Sequence, residues 1–547
     1  MSNYKEINSN PDITVTTIIS NKDEIIQKVF KTDLLVNEIS KFLTFEERKE
    51  FFSVNKKLNK FFRQTITKIN PKKIISSPEI AQRFCNIKSL KLPFGYSANL
   101  SFLKRSYYSK LENLKVNGNL YKDIYTIKNL TELKYLVLNN NQITNINFIS
   151  NLKKITTLDL GNNNINDLTP LTKLLYLESL SLQKCGLTNL DILNHKNFKK
   201  LKKLYIGINT LDDYTFLQNL DNLTVLNVYL SNFVSGDLIN IKNPEKIIEL
   251  NLGEKILKNP SDLYRFINIK KLFLFHNDIS DIKFLENKCF KNLEEINLAN
   301  NKINDFTSLK NLKYIKKLNL SGNKIKNINF LENKIFHKIE SLDLGSNRIE
   351  DCSLLSFFYN LKYLNLYNNK IYYCSWLEIC KFSETIEELN IGQNPIESTE
   401  FLKKFKNLKK LNLYNCILKD ISFLEYNSMK NLTKINLGLN KIEDASLISN
   451  LKKLKKLNLF NNNIEDISFL QDNNILIKEI NLAKNNIHDI LPLLGLQKLE
   501  KVNIKDQKKV IVNEDVKNDI LLLVELIKKL TISCKENYGE TIDNWSY

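Results

Sequence analysis

Apolar and polar positions along this chain recur on one template from Leu111 onward, L-x-x-L-x-L-x-x-N-x-I-x-x-I-x-x-L. One clear copy places Leu133, Leu136, Leu138, Asn141 and Ile143; another places Ile315, Leu318, Leu320, Asn323, Ile325, Ile328 and Leu331. Copies start at 111, 133, 155, 177, 201, 223, 247, 269, 293, 315, 339, 361, 386, 408, 432, 454, 477 and 499. Those at 223 and 247 degenerate in their second halves, the last is truncated, and a weaker forerunner sits at Ile87, Leu90 and Leu92. Such self-similarity is the mark of a repeat array. The L-x-L alternation predicts a short strand with both leucines turned into a core. Asn at the ninth position can satisfy turn backbone groups through its amide, and the trailing I-x-x-I-x-x-L suits a brief helical or 3-10 return. No single copy can bury its apolar side, so stability has to come from stacking on neighbours.

A second period lies on the first. From 155 the copies run 22, 24, 22, 24, 22, 24, 22, 24, 22, 25, 22, 24, 22, 23 and 22 residues long. The longer members share related insertions beginning at Glu286, Glu332 and Glu425, which implies a duplicated double unit of about 46 residues. The insertions are expected to protrude at every second repeat, on the side away from the strands.

These motifs resemble the short, 22-residue class of leucine-rich repeats, the class of bacterial internalins and of a regulatory subunit of type-1 protein phosphatase. The resemblance covers about three-quarters of the chain. It implies an α/β solenoid: a horseshoe with a parallel concave sheet, here with a small N-terminal helical module and a C-terminal capping helix.

Residues beside the core leucines face solvent on the concave side. The position between the two leucines is Asn in eleven repeats, among them Asn365, Asn412 and Asn458, where a structural amide ladder is one reading and ligand contact the other. Two residues further on, Gly207, Tyr229, Gly253, Phe275, Ala299, Ser321, Gly345, Tyr367, Gly392, Tyr414, Gly438, Phe460 and Ala483 alternate small with aromatic, Ser321 standing in one aromatic place. Rings between small residues make either interface anchors or an internal fill over the glycines. Before the second leucine, Glu249, Lys271, Glu295 and Lys317, then Glu388 with Lys410 and Glu479 with Lys501, set opposite charges on neighbouring strands. A face so close to charge balance suits a protein partner better than a phosphate backbone. The expected partner-binding residues are Tyr229, Phe275, Tyr367, Tyr414, Phe460, Lys410 and Lys456.

The ends differ in kind. Leu34, Leu35, Ile39, Phe42 and Leu43 give one helical apolar face, Thr44 with Glu47 matches a capping box, and Phe51, Phe52 and Val54 line a second helix. Leu58, Phe61 and Phe62 continue into a third. The segment resembles an F-box, the motif that docks substrate receptors onto the adaptor of cullin-type ubiquitin ligases. Leu34, Leu35, Ile39, Phe42, Leu43 and Val54 then become the adaptor-docking residues, although Lys31-Thr32 stands where that family usually has Leu-Pro. The alternative is a plain helical cap over the first strands. Residues 512–531 read as an amphipathic helix that closes the last repeat. The domains are therefore a polar tail (1–29), the three-helix module (30–66), a linker with an irregular first repeat (67–110), the repeats (111–506) and the capping helix with its tail (507–547).

Composition changes the picture little. Hydrophobic residues at 43% and charged residues at 26% are globular proportions. The net charge of +20 comes from 80 basic residues of which only six are Arg, so the bidentate phosphate reader is scarce and a solvated lysine surface is favoured over nucleic-acid binding. No apolar run reaches the roughly 18 residues of a membrane helix, and the polar start lacks a signal-peptide pattern. Eight Cys without a C-x-x-C pair fit a reducing compartment, so an intracellular, cytoplasmic protein is expected. His195, His276, His337 and His488 fall in separate repeats without metal or triad spacing, and no phosphate-binding glycine loop occurs. No catalytic residue, cofactor or metal is expected. The reading is a non-enzymatic recognition protein, an F-box substrate receptor in its sharper form. A scaffold or phosphatase-type regulator and an internalin-like adhesin are the alternatives.

Overall fold

The structure is a computed structural model, and it describes residues 68–69, 87–92, 100–104, 108–118, 123–254, 256–471 and 476–507. The F-box-like segment and the 512–531 helix lie outside the described residues. The chain divides into two units, 1–136 and 137–547.

In the first unit, Lys68–Ile69, Ser89–Lys91 and Asn113–Lys115 pair as parallel strands, Lys68 against Ser89 and Leu90 against Leu114. Ile87, Leu90 and Leu92 are buried together with Leu114 and Val116, so the forerunner seen in the sequence supplies a strand that stacks like those of the later repeats. Glu112 holds Lys88 at 2.9 Å and Lys134 at 3.0 Å across successive turns.

The second unit is an open solenoid. Three-residue strands from Thr157–Asp159 to Lys501–Asn503 pair in parallel with their sequence neighbours and in strict register, for example Leu342 against Leu364 and Leu411 against Ile435. Because side chains alternate along a strand, each central leucine enters the core while its two neighbours face outward. Leu364, Leu366, Leu411 and Leu413 are fully buried. Residues at the eighth template position adopt left-handed backbone geometry, including Asn162, Lys184, Asn368 and even β-branched Ile208 at φ 57°. With so few glycines in the chain, Asn and Lys carry a turn conformation that glycine usually takes.

Asn at the ninth position binds the repeats together. The Asn369 amide donates to the carbonyls of Leu344 and Leu366, each at 3.0 Å, and its oxygen accepts from the Ile349 N–H at 3.0 Å. Asn163, Asn209, Asn301, Asn347, Asn394, Asn440 and Asn485 repeat this bridge. Buried backbone groups need such partners because an unpaired one costs about 1–3 kcal/mol. Gln507 takes over the role after the last strand, donating to Leu482 O at 2.9 Å.

The insertions of the long repeats do not protrude as expected. Each folds into a second 3-10 turn, Lys196–Lys200, Lys288–Asn292, Lys334–Lys338 or Asn427–Asn431. Phe198, Phe290, Phe336 and Met429 from these turns are buried, with Cys289 beside Phe290, and fill the layer opened by the added length. Asn287 and Asn333 cap their turns by accepting from the N–H groups of Cys289 and Ile335.

Candidate functional site

Three outward positions per strand build the open face of the sheet in the second unit. At the first, register places Lys271 between Glu249 and Glu295, and Glu295 beside Lys317. Ion pairs follow: Lys271 to Glu249 at 3.3 Å, Lys317 to Glu295 at 3.5 Å and Lys410 to Glu388 at 2.8 Å. A parallel ladder one residue earlier went unnoticed in the sequence. There Glu294 holds Lys316 at 2.9 Å and Lys270 at 3.4 Å, and Glu340 holds Lys362 at 2.8 Å. These lysines hold the Glu294 and Glu340 carboxyls below the usual carboxylate range, chiefly through hydrogen bonds from Lys316 and Lys362. Exposed pairs of this kind contribute well under about 1 kcal/mol each, so their effect is mainly to cancel charge.

The middle position is occupied mostly by Asn, and the stacked-amide reading holds at some strands beside a local bond within each chain turn. Amide oxygens accept from the N–H two residues on in the same chain: Tyr367 N–H to Asn365 at 3.0 Å, Tyr414 N–H to Asn412 at 3.0 Å and Phe460 N–H to Asn458 at 3.0 Å. The local bond forms because the chain turns directly after the strand, bringing that N–H within reach of the short side chain. Cross-strand links occur at Asn365 to Asp343, 3.0 Å, and Asn458 to Asn436, 2.8 Å.

At the third position the expected aromatics Tyr229, Phe275, Tyr367, Tyr414 and Phe460 all sit half-buried. Their rings fill the hollows beside them. A Cβ added at Gly207 would meet Tyr229 Cδ1 at 2.8 Å, at Gly392 Tyr367 Cδ2 at 3.2 Å, and at Gly438 Tyr414 Cδ2 at 3.0 Å. Gly253 lies equally close under the Phe275 ring. The glycines are therefore floors on which the rings of Tyr229, Phe275, Tyr367 and Tyr414 rest, which is the internal fill over the glycines that the alternation allows.

Lys410 and Lys456 belong to a cluster that sequence reasoning only partly found. Register sets Lys410 beside Lys434 and Lys434 beside Lys456. Lys456 pairs with Glu479 at 2.8 Å, mirroring Lys410 with Glu388. All three lysines are half-buried, whereas Lys271, Lys317 and Lys501 at the same position are exposed. Burial, then the ammonium groups of Lys456 and Lys410, push Lys434 down to about 8. Beneath the cluster Asn412, Asn436 and Asn458 are 4% exposed. The signal for Lys434 was the break in sign alternation at this point of the chain.

Four stretches of the chain, residues 131–173, 267–311, 384–426 and 430–472, match the family described as Leucine Rich repeats (2 copies). These are leucine-rich repeats. An internalin of Listeria monocytogenes is 23% identical over 73% of this chain and 89% of its own, with a TM-score of 0.33. A leucine-rich repeat protein of Leptospira interrogans is 23% identical, over 79% of this chain and 98% of its own, at 0.38. The plant peptide hormone receptor RGFR1, solved in complex with RGF2, is 18% identical over 82% of this chain and 79% of its own, at 0.43. Comparison with curated proteins gives no match.

The leucine-rich repeats also account for the thiols and imidazoles. Cys185 and Cys416 replace the ninth-position Asn, and their thiols point at Leu160 O (3.3 Å) and Ile391 O (3.5 Å). Cys352 and Cys374 fill the fourteenth position, and burial pushes Cys374 up to about 12 and Cys352 well above its ordinary value. All six described cysteines are free and buried. His195 caps an insertion turn, its Nδ1 accepting from Asn197 N–H at 3.3 Å, while His276 meets the Asn300 amide at 2.8 Å. Among the described residues no three His, Cys, Asp or Glu side chains gather as a metal site would require. No helix among them is long and apolar enough to cross a membrane.

Proposed function

We propose that this protein is a non-enzymatic recognition protein that holds a protein partner on the open, concave face of its leucine-rich solenoid. The observation that carries the reading is the row of half-buried rings, Tyr229, Phe275, Tyr367, Tyr414 and Phe460, the first four of them packed against glycines of neighbouring strands. Braced aromatics lose little conformational freedom on binding, which is what interface anchors need. The flanking ion-pair ladders leave the face near neutral, so an apolar and polar protein surface can approach it without a large field. The test is affinity capture with the intact chain, followed by affinity measurement for the protein retained. Changing Tyr367, Tyr414 and Phe460 together to Ala should keep the circular dichroism spectrum and weaken capture by more than about tenfold. Unchanged capture removes the aromatic row from the interface.

The sharper form of this reading has residues 30–66 present the captured protein to a cullin-type ubiquitin ligase, with Leu34, Leu35, Ile39, Phe42, Leu43 and Val54 against the adaptor. Its support is the sequence resemblance of that segment. Retention of purified adaptor by the full chain, lost on Leu35→Asp, supports it. No retention leaves a scaffold or phosphatase-type regulator.

A further inference from the structure

A gap in the aromatic row bears on the chemistry of the partner. Between Phe275 and Tyr367 the third outward position carries only Ala299, Ser321 and Gly345, so the two ring-bearing strands stand four strand spacings, about 19 Å, apart. Both rings lean out of this gap. Phe275 lies over Gly253 and meets Tyr229 with ring centroids 6.1 Å apart, while Tyr367 turns toward Gly392. A Cβ added at Gly345 would first meet the Asn365 amide nitrogen at 3.0 Å and Asp343 Oδ1 at 3.3 Å, not a ring. The result is a hollow in the face, and register sets Asp343 at its floor between Asn319 and Asn365.

Asp343 brings an unanswered charge to the hollow. Glu295 and Lys317 at its rim pair with each other at 3.5 Å, and Glu388 pairs with Lys410 at 2.8 Å. The half-buried Asp343 accepts from the Gly345 N–H and from the Asn365 amide, and both bonds fall on Oδ1. No lysine or arginine among the described residues pairs with it, and Oδ2 is left to solvent. Asp159, at the same template position, shows the closed alternative. Its Oδ1 takes the Gly161 N–H and its Oδ2 the Asn139 amide, each at 3.0 Å. The fold does not require a carboxylate at 343, since Asn at this position accepts the same backbone N–H, as Asn365 does from Tyr367. A half-buried charge without a counter-ion is costly, and such departures from local consistency gather at functional positions.

We infer that this hollow seats a single lysine side chain of the partner protein, its ammonium group on Asp343 Oδ2 and its methylene stem over Ser321 and Gly345; the inference rests on the recognition reading above. Charge complementarity selects a cation, and the surroundings select its form. One open oxygen offers a point contact, which suits an ammonium group, whereas a guanidinium gains its advantage from gripping both carboxylate oxygens. A metal ion needs more oxygen donors than one carboxylate supplies, and no such group gathers among the described residues. The small residues of the gap leave room for an unbranched apolar stem behind the charged head. The chain as a whole stands at +20, so a run of basic residues is repelled on approach and a lone lysine among neutral neighbours is favoured. A further observation agrees. Burial, then the Asp343 and Glu388 carboxylates, push the Tyr363 phenol up, so this part of the face already works against negative charge and in favour of a cation.

The test titrates the intact chain with Nα-acetyl-lysine methylamide at neutral pH and low salt, followed by saturation-transfer NMR, which detects weak binding to a large protein. The norleucine analogue, which keeps the stem without the charge, should bind about tenfold more weakly, and the arginine analogue should bind no better than lysine. Asp343→Asn should weaken lysine binding by about tenfold, and Asp159→Asn, whose carboxylate is answered on both oxygens, by less than about twofold. Circular dichroism of both variants should match that of the unaltered chain. Equal binding of the lysine and norleucine compounds, no saturable binding, equal losses in the two Asp variants, or a preference for arginine overturns the inference. If the lysine compound fails while the Tyr367, Tyr414 and Phe460 variant still loses its captured protein, the recognition reading stands and only the lysine seat falls.

Discussion

Asn394 donates its side-chain amide to the carbonyl of Leu366, one repeat earlier, at 2.9 Å. The same amide serves Ile391 O at 2.9 Å, and the oxygen accepts from Ile371 N–H at 3.1 Å. With the residue 1% exposed, water cannot replace these bonds. Asn394→Ala should therefore lower stability by about 2–4 kcal/mol, more than a surface substitution costs. Urea unfolding followed by circular dichroism measures it, and a loss below about 0.5 kcal/mol would show that the bridge is dispensable.

Much of this architecture was legible because its cause is periodic. Two core leucines two residues apart in each repeat, joined by returns of regularly alternating length, leave only one register for stacking, and the strands fall where the L-x-L motif stands, as at Leu364–Leu366 and Leu411–Leu413. What could not be read depends on neighbours rather than on spacing. Phe336 and Met429 turn inward because the adjoining repeats leave room for them, which no single repeat states. The rings of Tyr229 and Tyr367 rest on glycines of different neighbouring strands, Gly207 before and Gly392 after, a choice made by rotamers. Lys434 gains its character from being pressed between two lysines that are contiguous only in the sheet.

Asp343 stands where most strands carry Asn, and its carboxylate accepts from Gly345 N–H at 3.0 Å and from the Asn365 amide at 3.0 Å. Burial is the leading influence on this carboxyl and raises its pKa above the ordinary value, against the opposing pull of those two bonds. A carboxyl raised on folding binds its proton more tightly in the native state, so its favourable contribution is present in acid and lost as pH rises through the folded value. At neutral pH the charged side chain is thus a cost. Asp343→Asn keeps an oxygen for both donors and removes the charge, so it should stabilise the protein at pH 7 by up to about 1 kcal/mol. The gain should shrink below about pH 4, where the native carboxyl is itself protonated. Unfolding midpoints of the two chains at both pH values decide the matter, and a gain independent of pH rules out the charge as its origin.

Gly253 and Phe275 provide the sharpest check on how the aromatic row is braced. A methyl group at Gly253 would collide with the outer edge of the Phe275 ring, so Gly253→Ala has to swing that ring off its seat. Gly236, with nothing within 4 Å of an added Cβ, is the control, and its change to Ala should be neutral or slightly stabilising. Overpacking against a half-buried ring costs about 1–2 kcal/mol, less than in a closed core because the ring can move toward solvent. Phe275→Ala removes the ring and loses its packing, yet leaves room for the methyl group. In the double variant the cost of Gly253→Ala should therefore vanish, giving a coupling of about 1 kcal/mol between the two positions. Simple additivity of the two single changes would mean that the ring does not rest on the glycine and that the row is not preorganised. The same double-variant cycle run on partner capture then separates loss of the ring's contact from loss of its position, since Gly253→Ala alone retains the aromatic group but displaces it.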